Sequence, residues 1–246
     1  MYEREKYLIR AKLDPDLYTV LEANRVHLCG GAITGIFSGG KIRDWDLYFS
    51  SAESYAVVQK AFIANGKQLS TTDLASTFTW KKKQRPFQLI HGVGYFEDGL
   101  RVFDHFDFTI CMGGFNFETE EFFLHPDFLK HLAQRRLVFN HKTDFPICSL
   151  LRAHKYVSRG FYLTGVETLK MGLACQQVTI KNFKDLRRQM MGIDTAFLKE
   201  LTDRFLQPAM AERRYDLEQA LDLISDFMQN YNHLADEHTP EFTDED

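Results

Sequence analysis

The chain has 246 residues, 44% of them apolar, and a formal net charge of -4 with a pI of about 6.1. Such a chain can bury one large core or two modest ones, and it lacks the chain-wide basic field that marks many nucleic-acid binders, so nucleic acid would have to be held by a local patch. Four widely spaced cysteines, Cys29, Cys111, Cys148 and Cys175, show no zinc spacing and follow no secretory signal, and no stretch approaches eighteen consecutive apolar residues. A soluble cytoplasmic protein with reduced, buried thiols and no membrane contact is expected.

The first helix signal is Asp14-Pro15-Asp16, a capping aspartate before a proline at the first helical position, with Leu17, Val20 and Leu21 on one face; this helix should end near Asn24. Val26-His27-Leu28-Cys29 reads as a buried strand closed by the turn Gly30-Gly31, and a short helix or turn follows to Ile36-Phe37 before Gly39-Gly40 reverses the chain. Residues 42–49 form the next strand, placing Trp45, Leu47 and Phe49 on one face and Asp44, Asp46 and Tyr48 on the other.

Ser50 with Glu53 makes a capping box for a helix carrying Val57, Val58, Ala61 and Phe62, which Asn65-Gly66 can end through a left-handed cap. Strands at 76–80 and 87–90, joined by a basic segment around Lys81, Lys82, Lys83 and Arg85, together with a strand at 106–112, would fill out a mixed sheet. Trp80 and Phe87 beside that basic segment offer possible base-stacking surfaces, although charged turns between strands are common. After Gly113-Gly114 the pattern turns helical at Pro126-Asp127. Helices are expected at 149–159, 182–191, 194–206 and 215–234, the last capped by Asp216 and carrying a core stripe of Leu217, Leu221, Ile224, Phe227, Met228 and Tyr231. The acidic segment 236–246 reads as a flexible tail.

Two aspartates one residue apart on a strand project from the same face a few ångströms apart, and they repel unless a cation or a proton intervenes. Magnesium suits them, because it favours oxygen ligands and completes its shell with water and nucleotide phosphates. Asp107, inside the apolar run Phe106-Asp107-Phe108-Thr109-Ile110-Cys111, is a third acid that asks for a partner. An Asp-x-Asp pair alone is common on solvated strands. A glycine pair after an apolar strand lets phosphates approach backbone amides, and the order of strand, turn, Asp-x-Asp strand and later acid fits two-metal nucleotidyl transfer.

Along this order the chain resembles the head and neck of the bacterial-type poly(A) polymerase and CCA-adding tRNA nucleotidyltransferase family. Gly30-Gly31-Ala32-Ile33-Thr34 is similar to that family's glycine turn, Asp44-Trp45-Asp46-Leu47 to its Asp-x-Asp strand, and Asp107-Phe108-Thr109-Ile110 to its third motif. Leu150-Leu151-Arg152-Ala153-His154-Lys155-Tyr156, with Gly160-Phe161 and Glu167-Thr168, looks like its neck helix. The match departs at Thr34 and Gly35, where the family has arginine and aspartate, at His105 and Phe106 in place of two arginines, at Cys111 in place of asparagine, and at Pro146 and Ser149 in place of an aspartate and an arginine.

The resemblance implies an α/β (α+β) nucleotidyltransferase head with a small mixed sheet over 1–140, an all-helical neck-like domain over 141–235 and the tail over 236–246. It implies transfer of a nucleoside monophosphate from an NTP such as ATP to a hydroxyl, releasing pyrophosphate. Asp44, Asp46 and Asp107 would ligate magnesium or manganese, while Gly30, Gly31, Lys41, Arg152 and Lys155 would hold the nucleotide. An RNA 3′ end is the acceptor the resemblance favours. A protein or small-molecule acceptor stays open, as does a catalytically degenerate nucleotide-binding member; the oligomeric state is not legible.

Overall fold

In the computed structural model the chain divides into two compact units, Met1–Thr143 with Gly160–Thr164, and Asp144–Arg159 with Gly165–Asp246. The structure describes residues 1–81, 85–190 and 210–230, together with Leu201, Asp203, Arg204 and Gln207.

The first unit begins with α1 (Glu3–Lys12), which the sequence reading did not single out, and α2 (Pro15–Ala23). Asp14 caps α2 as its sequence requires, its side chain accepting from the Asp16 and Leu17 amides at 3.0 and 3.3 Å. The elements then run β1 (His27–Cys29), α3 (Gly31–Ser38), β2 (Trp45–Tyr48), α4 (Ala52–Asn65), β3 (Gly66–Thr71), β4 (Ala75–Trp80), β5 (Phe87–Ile90), β6 (Gly113–Asn116), β7 (Glu121–Leu124), α5 (Phe128–Ala133), β8 (Arg136–Leu137) and β9 (Tyr162–Leu163). Seven strands form one sheet in the order β3-β4-β5-β2-β1-β6-β7, antiparallel at each step except the parallel pair β2–β5, so the expected mixed sheet is present. The separate pair β8–β9 is parallel.

The pleat sorts the side chains. Leu28, Trp45, Leu47, Phe87, Leu89 and Phe115 leave one face of the sheet and meet Leu17, Leu21, Ile33, Ile36, Val58 and Phe62 from the helices in one continuous core. Phe62 sits with its ring 5.0 to 5.6 Å from those of Trp80, Phe87 and Phe78, so truncating it to alanine would cost about 3–5 kcal/mol. Cys29 and Tyr48 leave the opposite face, where Val93, Phe96, Val102, Phe106 and Phe123 cover part of it. The remainder of that face carries the polar side chains discussed below.

Several local expectations need correction. Ser51 rather than Ser50 caps α4, accepting from the Ser54 amide at 3.2 Å, and Gly66 is extended, with a φ of -134°, because it opens β3 instead of ending the helix in a left-handed turn. Residues 106–112 do not form a strand: Phe108 makes an isolated bridge to Phe139, and a 3-10 turn follows at Thr109–Cys111. Gly113-Gly114 lies inside β6 and does not end the sheet.

The second unit contains α6 (Pro146–Ser158), α7 (Gly165–Cys175), α8 (Phe183–Gln189) and α9 (Leu217–Asn230). Asn182 caps α8 by accepting from the Asp185 amide at 2.9 Å, and Asp216 accepts from the Gln219 amide at 2.9 Å as the sequence predicts. Phe183, Leu186, Leu201 and Ala220 are buried together. The expected stripe on the last helix is only partly core, since Leu217 and Leu221 are 57% and 47% exposed while Leu223 and Ile224 pack inward. The side chains of Phe227, Met228 and Tyr231, most of the helix expected at 194–206, and the tail at 236–246 lie outside the described residues. No helix among the described residues is long and apolar enough to cross a membrane.

Candidate active site

β1 ends at Cys29 and the chain turns at Gly30, whose φ of +82° and ψ of -139° only glycine adopts readily. Gly31 opens α3 without a side-chain cap, at the end of a helix where the first amides have no intrahelical partner. Beside this turn stands Asp46. A Cβ on Gly30 would lie 3.4 Å from Asp46 Oδ2 and 3.7 Å from the Phe106 ring, so the missing side chain leaves a hollow between backbone, carboxylate and ring.

The register across the sheet explains why Asp46 is there. Thr77, Gln88, Asp46, Cys29 and Gly114 are successive Cα partners on β4, β5, β2, β1 and β6, and partners across paired strands share a face. Trp45 and Leu47 are driven into the core on the other side, which fixes the carboxylate on this one. Asp44 precedes β2, and its Oδ2 accepts a hydrogen bond from Gln88 Nε2 at 3.2 Å. Burial raises the pKa of the Cys29 thiol well above its ordinary value, and the charge of Asp46 adds to the shift.

Asp107 is placed differently. It lies 2% exposed just before the 3-10 turn, where its carbonyl accepts from the Asn140 amide at 2.8 Å. Among the described residues no group of three or more His, Cys, Asp or Glu side chains is arranged to hold a metal ion. A strand at 106–112 would have phased Asp107 by the pleat, and the bend found there does not. Two carboxylates beside a hollow at a helix N-terminus still fit a magnesium ion, which takes one or two protein carboxylates and leaves the rest of its shell to water and phosphate.

The other expected contacts divide. Gly31 and Lys41 are exposed, at the start of α3 and ahead of β2 respectively. Arg152 and Lys155 are half-buried on α6 of the second unit. Trp80 and Phe87, 1% and 0% exposed, belong to the core and offer no base-stacking surface. Lys81 is held by Asp14 and Asp16 at 2.7 and 3.0 Å, at the start of α2, while Lys82 and Lys83 lie outside the described residues.

Sequence reasoning missed Gln88 and Asn140. Gln88 is the polar residue inside the run Phe87-Gln88-Leu89-Ile90, and its alternation with buried Phe87 and Leu89 was the available signal. Asn140 gives no such signal. Its Nδ2 donates to the carbonyls of Phe103, Asp104 and Phe106 at 3.2, 3.3 and 2.8 Å, tying down the segment that covers the site.

Among solved structures, the fold is similar to an apo CCA-adding enzyme (14% identity, TM-score 0.56, covering 94% of this chain and 62% of that one). It is also similar to a CCA-adding enzyme in complex with CTP (13%, TM-score 0.54, 90% and 52%) and to the Thermotoga maritima CCA-adding enzyme complexed with tRNA (12%, TM-score 0.53, 91% and 60%). A protein of Bacillus phage SPbetaL7 described as "Gabija anti-defense 2" is 36% identical over 251 residues, covering the whole of this chain. This chain spans about 60% of that relative's length. A family profile described as "Gabija anti-defense 2 family protein" matches residues 3–135, more than half of the chain, which therefore belongs to the Gabija anti-defense 2 family on a fold shared with CCA-adding nucleotidyltransferases.

Proposed function

We propose that this chain is a metal-dependent nucleotidyltransferase that moves a nucleoside monophosphate from an NTP to a hydroxyl, and that a phage uses this activity against a host defence. The observation that carries the reading is Asp46 standing beside the Gly30 hollow at the open N-terminus of α3. The anti-defence role is supported by the printed name of the phage relative and by family membership.

In this reading the amides that open α3 receive the triphosphate, with Gly30 and Gly31 letting it approach the backbone. Asp44 and Asp46 would hold magnesium or manganese, which when bound would supply charge neutralisation on the phosphates. The acceptor oxygen bonds to the α-phosphorus, the bond from that phosphorus to the bridging oxygen breaks, and pyrophosphate leaves with the electron pair. The acceptor proton passes to a carboxylate of the pair or to water. Asp107 lies on the segment that Asn140 ties down, its carbonyl accepting from the Asn140 amide.

An RNA 3′ end is the acceptor suggested by the resemblance. Transfer to a protein or small-molecule hydroxyl is the second reading, favoured because Trp80 and Phe87 are core residues and Lys81 is committed to Asp14 and Asp16. The test is label transfer and pyrophosphate release from each α-labelled NTP with magnesium or manganese. Each donor is offered with total RNA and with lysate of cells carrying the defence, and wild type is compared with Asp44→Ala and Asp46→Ala. Loss of transfer in both variants, with circular dichroism unchanged, supports the reading and the labelled species names the acceptor. No release in any pairing, despite nucleotide binding, moves the chain to the degenerate alternative.

A further inference from the structure

Three acids in one cluster repel strongly before a cation arrives, and each additional carboxylate raises the affinity for the bare ion. This site presents a different third group. Gln88 is the Cα partner of Asp46 on the parallel strand β5, and its side-chain amide donates to Oδ2 of Asp44, the residue just before β2, at 3.2 Å. It therefore touches one aspartate while standing in register beside the other. Thr77 is the next partner in the same row, so the flank beyond Gln88 is also neutral. On the far side of Asp46 the row continues to Cys29, whose thiol burial keeps protonated.

We propose that Gln88 is the third polar member of this site, a neutral positioning residue that aims Asp44 and makes cation entry depend on the nucleotide. The inference rests on the nucleotidyltransferase reading and specifies how that site is charged. An amide at this point satisfies a lone pair of Asp44 without adding negative charge, so Asp44 and Asp46 together hold a bare divalent ion weakly. Phosphate oxygens arriving at the α3 amides then supply the missing negative ligands. Ion and nucleotide would bind as a pair, and the empty site would stay stable as two carboxylates without a metal.

The full chain would be titrated with Mn2+ alone and with Mn2+ plus ATP, following free Mn2+ by electron paramagnetic resonance and subtracting the Mn2+ that the same ATP binds without protein, for wild type, Gln88→Glu, Gln88→Leu and Asp46→Asn. Wild type should bind Mn2+ about tenfold more tightly with ATP than alone. Gln88→Glu should raise affinity for Mn2+ alone by about tenfold, melt earlier than wild type without metal, and regain stability when Mn2+ is added. Gln88→Leu should weaken Mn2+ binding in the presence of ATP several-fold, and Asp46→Asn should abolish it. A Gln88→Glu protein with wild-type Mn2+ affinity and no metal-dependent recovery of melting overturns the assignment, even if transfer that depends on Asp46 is intact. If no variant and no wild type binds Mn2+ with or without ATP, the assignment and the transferase reading fall together.

Discussion

Thr34 donates its hydroxyl to the carbonyl of Ile110 at 2.6 Å, joining α3 to the segment that carries Asp107. Where the resembled family has an arginine for substrate, this chain has a short buried side chain 7% exposed and committed to the protein itself. The departure puts an internal tether where the resembled family has a cation.

Thr34→Val keeps the shape and leaves the Ile110 carbonyl without this donor in a buried setting. A stability loss of about 1–3 kcal/mol is expected, read as a lower urea midpoint. Because Thr34 offers no free group to a ligand, nucleotide affinity of the folded fraction should stay within about twofold of wild type. A variant that keeps its midpoint but loses nucleotide would make Thr34 a ligand contact instead.

The two glycines of the turn should behave oppositely. Gly30→Ala forces a side chain onto a backbone at φ +82°, ψ -139°, costing about 1–3 kcal/mol, and puts a methyl 3.4 Å from Asp46 Oδ2. Both melting temperature and turnover should fall. A Cβ on Gly31 meets nothing within 4 Å, and the residue is the first of α3, so Gly31→Ala should fold at least as well, with a gain of up to about 1 kcal/mol. If phosphates approach this turn, the same variant should bind NTP more weakly. Undiminished NTP binding by Gly31→Ala would place the phosphates elsewhere.

Much of the first unit was legible because period-two alternation and capping act locally. Trp45 and Leu47 against Asp46 and Tyr48 fixed β2 and its polar face, and Asp14-Pro15 fixed the start of α2. The segment around Asp107 was misread as a strand because the run from Phe106 to Cys111 is apolar enough for one. The bend there also makes contacts distant in sequence, to Asn140, Phe139 and Thr34, which leave no local mark. The alternation around Gln88 marked a polar face, but its meaning depends on which strand lies beside β2, and that parallel pairing with a distant segment is not written in the local pattern.

Gly114 shows the same limit. In sequence Gly113-Gly114 resembles a break, whereas in the sheet a Cβ on Gly114 would lie 2.1 Å from the Phe123 ring on the neighbouring strand. The glycine is there for close packing inside β6. Gly114→Ala should therefore destabilise by about 1–3 kcal/mol through overpacking, and Gly114→Ala with Phe123→Leu should recover part of that loss. Additive losses in the double variant would show that the ring is not the obstacle.

His27 gives the fold a defined response to acid. Its ring is 2% exposed on β1, 5.5 Å from that of Phe123, and burial holds its pKa below the ordinary 6.5 against the pull of the Phe96 and Glu97 backbone and the charges of Asp98 and Glu118. His131, which shares a 2.8 Å hydrogen bond with Thr109, is shifted the same way, again chiefly by burial. A depressed folded value means that the unfolded chain takes up a proton the native chain refuses. Stability is then complete above about pH 6.5 and falls as the pH drops from there toward the folded values. Carboxylates do not explain a loss in that window, since Asp14, lowered from 3.8 chiefly by its hydrogen bond from Lys81, gives up its contribution only below that range. Urea midpoints should accordingly fall between about pH 7.5 and pH 5 in the wild type, and fall less in His27→Phe, whose ring suits the aromatic surroundings. An unchanged acid loss in His27→Phe and in His131→Gln alike would show that neither ring is the group that resists protonation.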